Sequence, residues 1–164
     1  MAKITQKSYS VTRYPAPVLR KKSREIKTVT DEIRAILADM VRAMRKNQGI
    51  GLAAPQIGLD MQLAVVDTGD GLLKLINPVV KMKDGIDTMD EGCLSIPAVL
   101  VKVKRAKTIA VEYMDEWGKT VTQKFHGLTA KAIQHEIDHL NGRLILDNLP
   151  WYKRIFTTQR LKYL

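Results

Sequence analysis

Leu128-Thr-Ala-Lys-Ala-Ile-Gln-His-Glu-Ile-Asp-His-Leu140 is the stretch on which the reading of this chain turns. Its apolar residues recur at helical spacing, and Gly142, two residues on, suits a left-handed C-terminal cap. His135 and His139 are four residues apart, so both imidazoles lie on one helical face and can reach one ion. Glu136 follows about 100° around the helix, where it can reach a water beside that ion without ligating it. The chain holds only three histidines. Two of them at ligand spacing around a glutamate therefore point to a metal site rather than to incidental packing.

Working outward, Ile33, Ile36, Leu37, Met40, Val41 and Met44 predict an amphipathic helix over residues 30–46, with Thr30 as its N-cap. The next stretch, Gly49-Ile-Gly-Leu-Ala-Ala-Pro-Gln-Ile-Gly58, is rich in small residues and fits neither helical nor strand period. Short apolar runs at Gln62–Asp67, Leu72–Ile76 and Val79–Lys83, separated by Asp, Gly and Pro, predict strands. Thr108–Tyr113 and Thr120–Phe125 flank Asp115-Glu-Trp-Gly118, a hairpin loop, and a basic segment at Trp151–Leu164 predicts a last helix. The expectation is an α+β fold: a single domain over residues 1–164, with antiparallel strands packed around a central metal-binding helix.

Composition bounds the function. At 164 residues and 45% hydrophobic content the chain can bury one core. Charged residues reach 27%, which argues against a fibrous chain. No apolar run approaches the ~18–20 residues needed to span a bilayer, and the first 30 residues lack the apolar core of a secretory signal. The single cysteine, Cys93, excludes an internal disulfide and favours a reducing cytoplasm. The formal net charge is +10, with clusters at Arg20–Arg24, at Lys102–Lys107 and beyond Pro150. These cations suit either a solvated surface or a polyanionic partner such as RNA. Aromatics are only 5% and no nucleic-acid motif occurs, so no DNA-binding function is expected.

Two histidines do not complete a metal site, and the third ligand decides the class. Metalloproteases with this helix take it from downstream, at the last position of H-E-x-x-H-x-x-G-x-x-H or from a later glutamate. Here Gly142 fits the pattern but Ile145 stands at the last position, and no glutamate follows Glu136. Asp147 is a poorly spaced substitute. Upstream stand His126, at the end of a predicted strand, and Cys93, in Asp90-Glu-Gly-Cys-Leu-Ser-Ile-Pro97. Gly92 lets the backbone approach closely and Pro97 stiffens the exit. A thiolate beside a dication is deprotonated and binds strongly. Cys93 is the chosen third ligand.

Three segments together resemble the peptide deformylase family: Gly49-Ile-Gly-Leu-Ala-Ala-Pro-Gln56, Glu91-Gly-Cys-Leu-Ser95 and Gln134-His-Glu-Ile-Asp-His-Leu-Asn-Gly142. They match the family's three signatures in order, and the similarity runs from Tyr14-Pro-Ala-Pro-Val-Leu-Arg20 to about Leu149. The resemblance implies a hydrolase that removes the N-terminal formyl group from formyl-methionyl nascent peptides and releases formate. It implies Fe2+ in the cell, with zinc, nickel or cobalt able to occupy the same ligands. It implies Glu136 as the proton carrier, and Gln56 and the Leu94 backbone N–H as donors to the developing oxyanion. It further implies a methionine pocket walled by Ile50, Leu128 and Ala132 with His135 at its base. Backbone groups of Gly49, Ile50 and Gly51 would pair with the extended peptide. Glu91 and Asp138 are candidate supports of the ligands, with Arg105 as a partner of Asp138. In the family the C-terminal end can contact the ribosome, a role that the basic tail here permits. Ala98-Val-Leu-Val101 is more apolar than the same stretch in many relatives, a departure at the pocket rim that leaves the ligands untouched.

Two other classes compete. A zinc endopeptidase would digest casein, but the missing downstream ligand argues against it. A basic protein that binds ribosomal RNA around a structural metal would close its site with four ligands, whereas three ligands beside Glu136 leave a position open.

Overall fold

The computed structural model describes residues 7–161. Its frame is an antiparallel sheet of five strands: β1 (Gly51–Ala53), β2 (Leu63–Asp67), β3 (Leu72–Asp84), β6 (Thr108–Met114) and β7 (Thr120–His126), in the order β1-β2-β3-β6-β7. A separate hairpin pairs β4 (Asp87–Cys93) with β5 (Ile96–Arg105). The helices are α1 (Asp31–Lys46), α2 (Gly127–Leu140) and α3 (Trp151–Leu161).

The sheet is covered on both faces where it matters for the site. Along β2, Leu63 and Val65 pack with Leu37, Met40 and Met44 of α1. The alternate residues Ala64 and Val66 join Leu75, Val111 and the α2 residues Ala130, Ile133 and Leu140. These four of the five β2 residues are fully buried, which is why Leu63–Val66 reads as an unbroken apolar run rather than an alternating one. Each large aliphatic so buried contributes about 1.5–3 kcal/mol. The second helix therefore lies against the sheet, and its opposite flank is covered by the β4–β5 hairpin. That hairpin sits on a third cluster, in which Ile96, Val101 and Val103 meet Leu19, Leu144, Ile145 and Leu146. The α+β architecture and the antiparallel packing around α2 are those expected from the sequence.

Helix ends follow local chemistry. Thr30 Oγ1 accepts a hydrogen bond from the Ile33 N–H at 3.3 Å, and Asp31 and Glu32 open α1 while Arg45 and Lys46 close it, as the helix dipole favours. Past α2, Gly142 adopts φ 71°, and a Cβ there would stand 2.6 Å from the Arg20 carbonyl oxygen. The glycine thus serves both the turn and the close passage of the N-terminal segment, whose Lys22 bridges Asn141.

Three details differ from the sequence reading. The runs Leu72–Ile76 and Val79–Lys83 form one strand, β3, with register shifts at Ile76/Val79 and Val80/Met82. Asn77 at φ 51° absorbs the irregularity while its side chain bonds Ile26 N and O at 2.9 and 2.8 Å. The stretch Gly49–Gly58 contains the short strand β1 and a 3-10 turn, Ala54–Ile57. Strands β4 and β5 were not among those expected. The last helix is described over Trp151–Leu161, and the remainder of the predicted segment, 162–164, lies outside the described residues. Among the described residues no helix is long and apolar enough to cross a membrane.

Candidate active site

Three elements converge on one point. α2 projects His135 and His139 one turn apart, and the tip of the β4–β5 hairpin brings Cys93, paired with Ile96 across the two-residue turn Leu94-Ser95. Cys93 Sγ lies 3.2 Å from His139 Nε2, which is 3.1 Å from His135 Nε2. Among the described residues these three form the cluster whose ligand atoms could hold a metal, all within 4.8 Å of one another. The other ligands considered lie elsewhere. His126 sits exposed before α2, with Nδ1 2.9 Å from Thr108 Oγ1. Asp147 pairs with Arg20 at 2.7 Å and accepts from the Leu144 N–H.

The third element is the turn after β1. Gln56, 1% exposed, accepts from the Ala53 N–H at 2.8 Å through Oε1. This tether aims Nε2 at Cys93 Sγ (3.5 Å) and Ser95 Oγ (3.4 Å). Gly51, at the start of β1, lies directly against Glu136, and a Cβ there would collide with Glu136 Oε1. Glycine is therefore required for the carboxylate to lie where it does. Glu136 is 4% exposed, and its Oε2 has no hydrogen-bond partner. Burial pushes its carboxyl up to about 7.

A buried polar lattice holds the ligands. Glu91 accepts from Arg105 Nε and Nη2 at 2.8 and 2.9 Å, and from His135 Nδ1 at 2.9 Å. Arg105 Nη1 also meets Asp138 at 2.5 Å. His135 thus offers Nε2 to the ligand cluster because Nδ1 is engaged. Burial opposes charge on Glu91, but the hydrogen bonds from Arg105 and His135 outweigh it and hold the carboxyl at about 2. Burial likewise opposes charge on His135. Hydrogen bonds with Cys93 and Glu91 overcome it, raising the ring to about 10. Burial and the neighbouring His135 keep His139 neutral, as a ligand must be. One thiol and two imidazole nitrogens converging within 4.8 Å of one another fit a divalent metal ion, with Glu91 orienting one ligand.

A cleft of about 640 Å³ opens beside these ligands. Gly49, Ile50, Gly51, Gln56, Leu94, Leu128, Ala132 and Glu136 all border it, together with Cys93 and His135. His139 lies behind them, 1% exposed. Val99 and Leu100, of the apolar stretch Ala98–Val101 expected at the pocket rim, also border it, as do Met89 and Lys131, which were not singled out from sequence. That the stretch is a strand had a signal: Val99, Val101 and Val103 alternate with Leu100, Lys102 and Lys104.

Residues 8–154 match the family model of polypeptide deformylase. The chain belongs to this family. It is 48% identical over 146 residues to a peptide deformylase of Thermoanaerobacter sp. (strain X514), covering 89% of this chain and 88% of that one. The fold agrees as well. A peptide deformylase of Ehrlichia chaffeensis in complex with actinonin superposes with a TM-score of 0.92 at 34% identity, covering 96% of this chain and 97% of that one. The Thermus thermophilus peptide deformylase gives 0.86 at 38% identity, with 94% and 93% covered. The chain is therefore a hydrolase of protein synthesis that removes the N-terminal formyl group from nascent peptides.

Proposed function

We propose that Cys93, His135 and His139 hold the catalytic ion, and that Glu136 carries the proton in formyl hydrolysis. What supports the reading is one observation: a thiol and two imidazoles converge beside a buried carboxylate oxygen that has no partner of its own. A divalent ion with these ligands supplies Lewis acidity, acidifying water and polarising the formyl carbonyl. Glu136 takes the proton of the attacking water and passes it to the leaving amine, freeing formate and the peptide N-terminus. Gln56 Nε2, held by the Ala53 tether, and the Leu94 backbone N–H are the donors assigned to the formyl oxygen as negative charge develops on it.

Ile50, Leu128 and Ala132, with His135 at the base, form the wall for the methionine side chain. Gly49–Gly51 leads into an edge strand of the sheet, β1, whose one partner is β2, and there the extended peptide adds as a further strand. Main-chain pairing tolerates many sequences after methionine, as a general processing enzyme requires. Ferrous iron is the ion assigned by family likeness, and zinc, nickel and cobalt suit the same donors. A lone cysteine used as a ligand fits a reducing cytoplasm. Residues 1–164 act as one catalytic domain. The basic helix α3, which buries none of its side chains, is assigned to ribosome contact, and co-sedimentation of a chain truncated after Pro150 tests that role.

The decisive experiment measures formate release from formyl-Met-Ala-Ser by protein purified without oxygen, with metal content determined in parallel and Glu136→Ala alongside. Formate from the parent, and at least about a hundredfold less from a variant carrying the same metal, is expected for loss of a proton carrier. Turnover by the metal-replete variant at the parent rate would remove Glu136 from the mechanism.

A further inference from the structure

The inner face of β4 carries Asp87, Met89 and Glu91, alternate residues of one strand. The outer two grip α2 one helical turn apart. Glu91 reaches His135 Nδ1 at 2.9 Å, and Asp87 reaches Lys131 Nζ at 2.5 Å. Met89, Leu128, Lys131, Ala132 and His135 all border the cleft. Above its His135 base, the compartment assigned to the methionine side chain thus has on this side apolar walls apart from one residue, a lysine. That side chain is only 14% exposed, whereas its partner is 45% exposed. The pair thus points outward, with the ammonium at its solvent end. The Asp87 carboxyl is held below its ordinary range, chiefly by the hydrogen bond from Lys131.

A lysine in such a wall has two placements. With the ammonium drawn outward, its methylene stem is one more apolar surface. With the ammonium turned inward, a thioether side chain would meet a cation that it cannot satisfy, and that desolvation is costly. We propose that Asp87 is a positioning residue for substrate specificity: by holding the Lys131 ammonium at the outer end of the compartment, it turns Lys131 into apolar wall and tunes the pocket for an unbranched apolar side chain. This rests on the reading above that the methionine side chain enters between β4 and α2. Asp87 does not touch the reacting atoms, so it acts on binding and leaves the chemical step alone.

The test is a double-mutant cycle on the metal-loaded full chain. Parent, Asp87→Asn, Lys131→Met and the double variant are assayed on formyl-Met-Ala-Ser, formyl-Glu-Ala-Ser and formyl-Gly-Ala-Ser, with melting temperatures confirming that each is folded. In Asp87→Asn the KM for formyl-Met-Ala-Ser rises about tenfold with kcat within about twofold, the size expected for a spoiled apolar contact. The preference for formyl-Met over formyl-Glu narrows by a similar factor. In the Lys131→Met background the same Asp87→Asn change shifts neither value, because the cation it restrains is gone. An unchanged KM in Asp87→Asn overturns the proposal. So does an equal rise in the Lys131→Met background, which would place the effect in the hairpin fold rather than in the ammonium. A parent that does not prefer formyl-Met to formyl-Gly would instead remove the pocket reading beneath it.

Discussion

Replacing Glu91 with Gln changes one atom and removes a charge at the centre of the polar lattice. Both carboxylate oxygens are engaged: Oε1 by Arg105 Nε at 2.8 Å, and Oε2 by Arg105 Nη2 at 2.9 Å and by His135 Nδ1 at 2.9 Å. A glutamine offers one acceptor oxygen and one NH2, so its donor must face an N–H of Arg105 or of His135. A hydrogen bond to a charged group contributes about 1.5–3 kcal/mol, and Arg105, 8% exposed, keeps only Asp138 as a charged partner. A destabilisation of about 3 kcal/mol is therefore expected, which lowers the melting temperature of a chain this size by about 6–12 °C. Because His135 loses the group that orients it, metal affinity should also fall by about 10–100-fold. Thermal unfolding followed by circular dichroism, with competition for metal by a calibrated chelator, reads both. Acid offers the same perturbation without mutation. The folded carboxyl is held at about 2 against an ordinary 4.5, so ionised Glu91 stabilises the fold fully above pH 4.5 and progressively less as pH falls towards 2. Glu91→Gln should lose that part of the acid slope. A variant that melts within about 2 °C of the parent, well inside the expected shift, and binds metal as tightly would refute the reasoning.

Gly51→Ala should fold, since the Cβ meets a side chain able to swing away, yet lose activity by about a hundredfold because the new carbon takes the place of Glu136 Oε1; an active variant would show that the carboxylate needs no such placement. Gln56→Ala is expected to lower kcat by about 10²–10³ with KM little changed, the pattern of a lost oxyanion donor, and steady-state kinetics on formyl-Met-Ala-Ser decide it. Stripping the metal with a chelator should lower the melting temperature and readdition restore it, because the ion binds the folded chain alone; unchanged melting in calorimetry would mean the three ligands bind weakly.

How far the sequence discloses this molecule depends on where each signal resides. α1 and α2 are legible because an apolar stripe repeats along many turns, and β2 because both its faces are buried. The ligand pair His135 and His139 is legible for the same reason: one helix carries both, at fixed spacing. Cys93 is different. Its nearness to the histidines is set by the β4–β5 hairpin, whose outer face, Asp90, Lys102 and Lys104, is charged, and whose alternation is broken by a register shift between Glu91 and Cys93. Without that hairpin Cys93 could be chosen only by chemical suitability and by the family's signatures. Lys131 and Asp87 read as ordinary surface charges, and Arg105, expected to pair with Asp138, shows itself as the buried partner of Glu91 only through tertiary contact.

The same division explains why the site is divided among three elements. α2 is fixed by its packing on the sheet through Ala130, Ile133 and Leu140, so His135, Glu136 and His139 inherit the rigidity of the main core. The hairpin rests on a separate cluster around Ile96, Val101 and Val103 and is tied to α2 by polar contacts: Asp87 to Lys131, Glu91 to His135, and Arg105 to Asp138. The cleft lies between these two bodies. Apolar packing of the hairpin directly onto α2 would have filled the space that a substrate side chain needs, whereas ion pairs at its margin hold the walls apart at fixed separation. Where apolar packing is absent beside this site, specific charge pairs set the geometry, and changing one partner of such a pair should disturb recognition or ligand placement before it unfolds the chain.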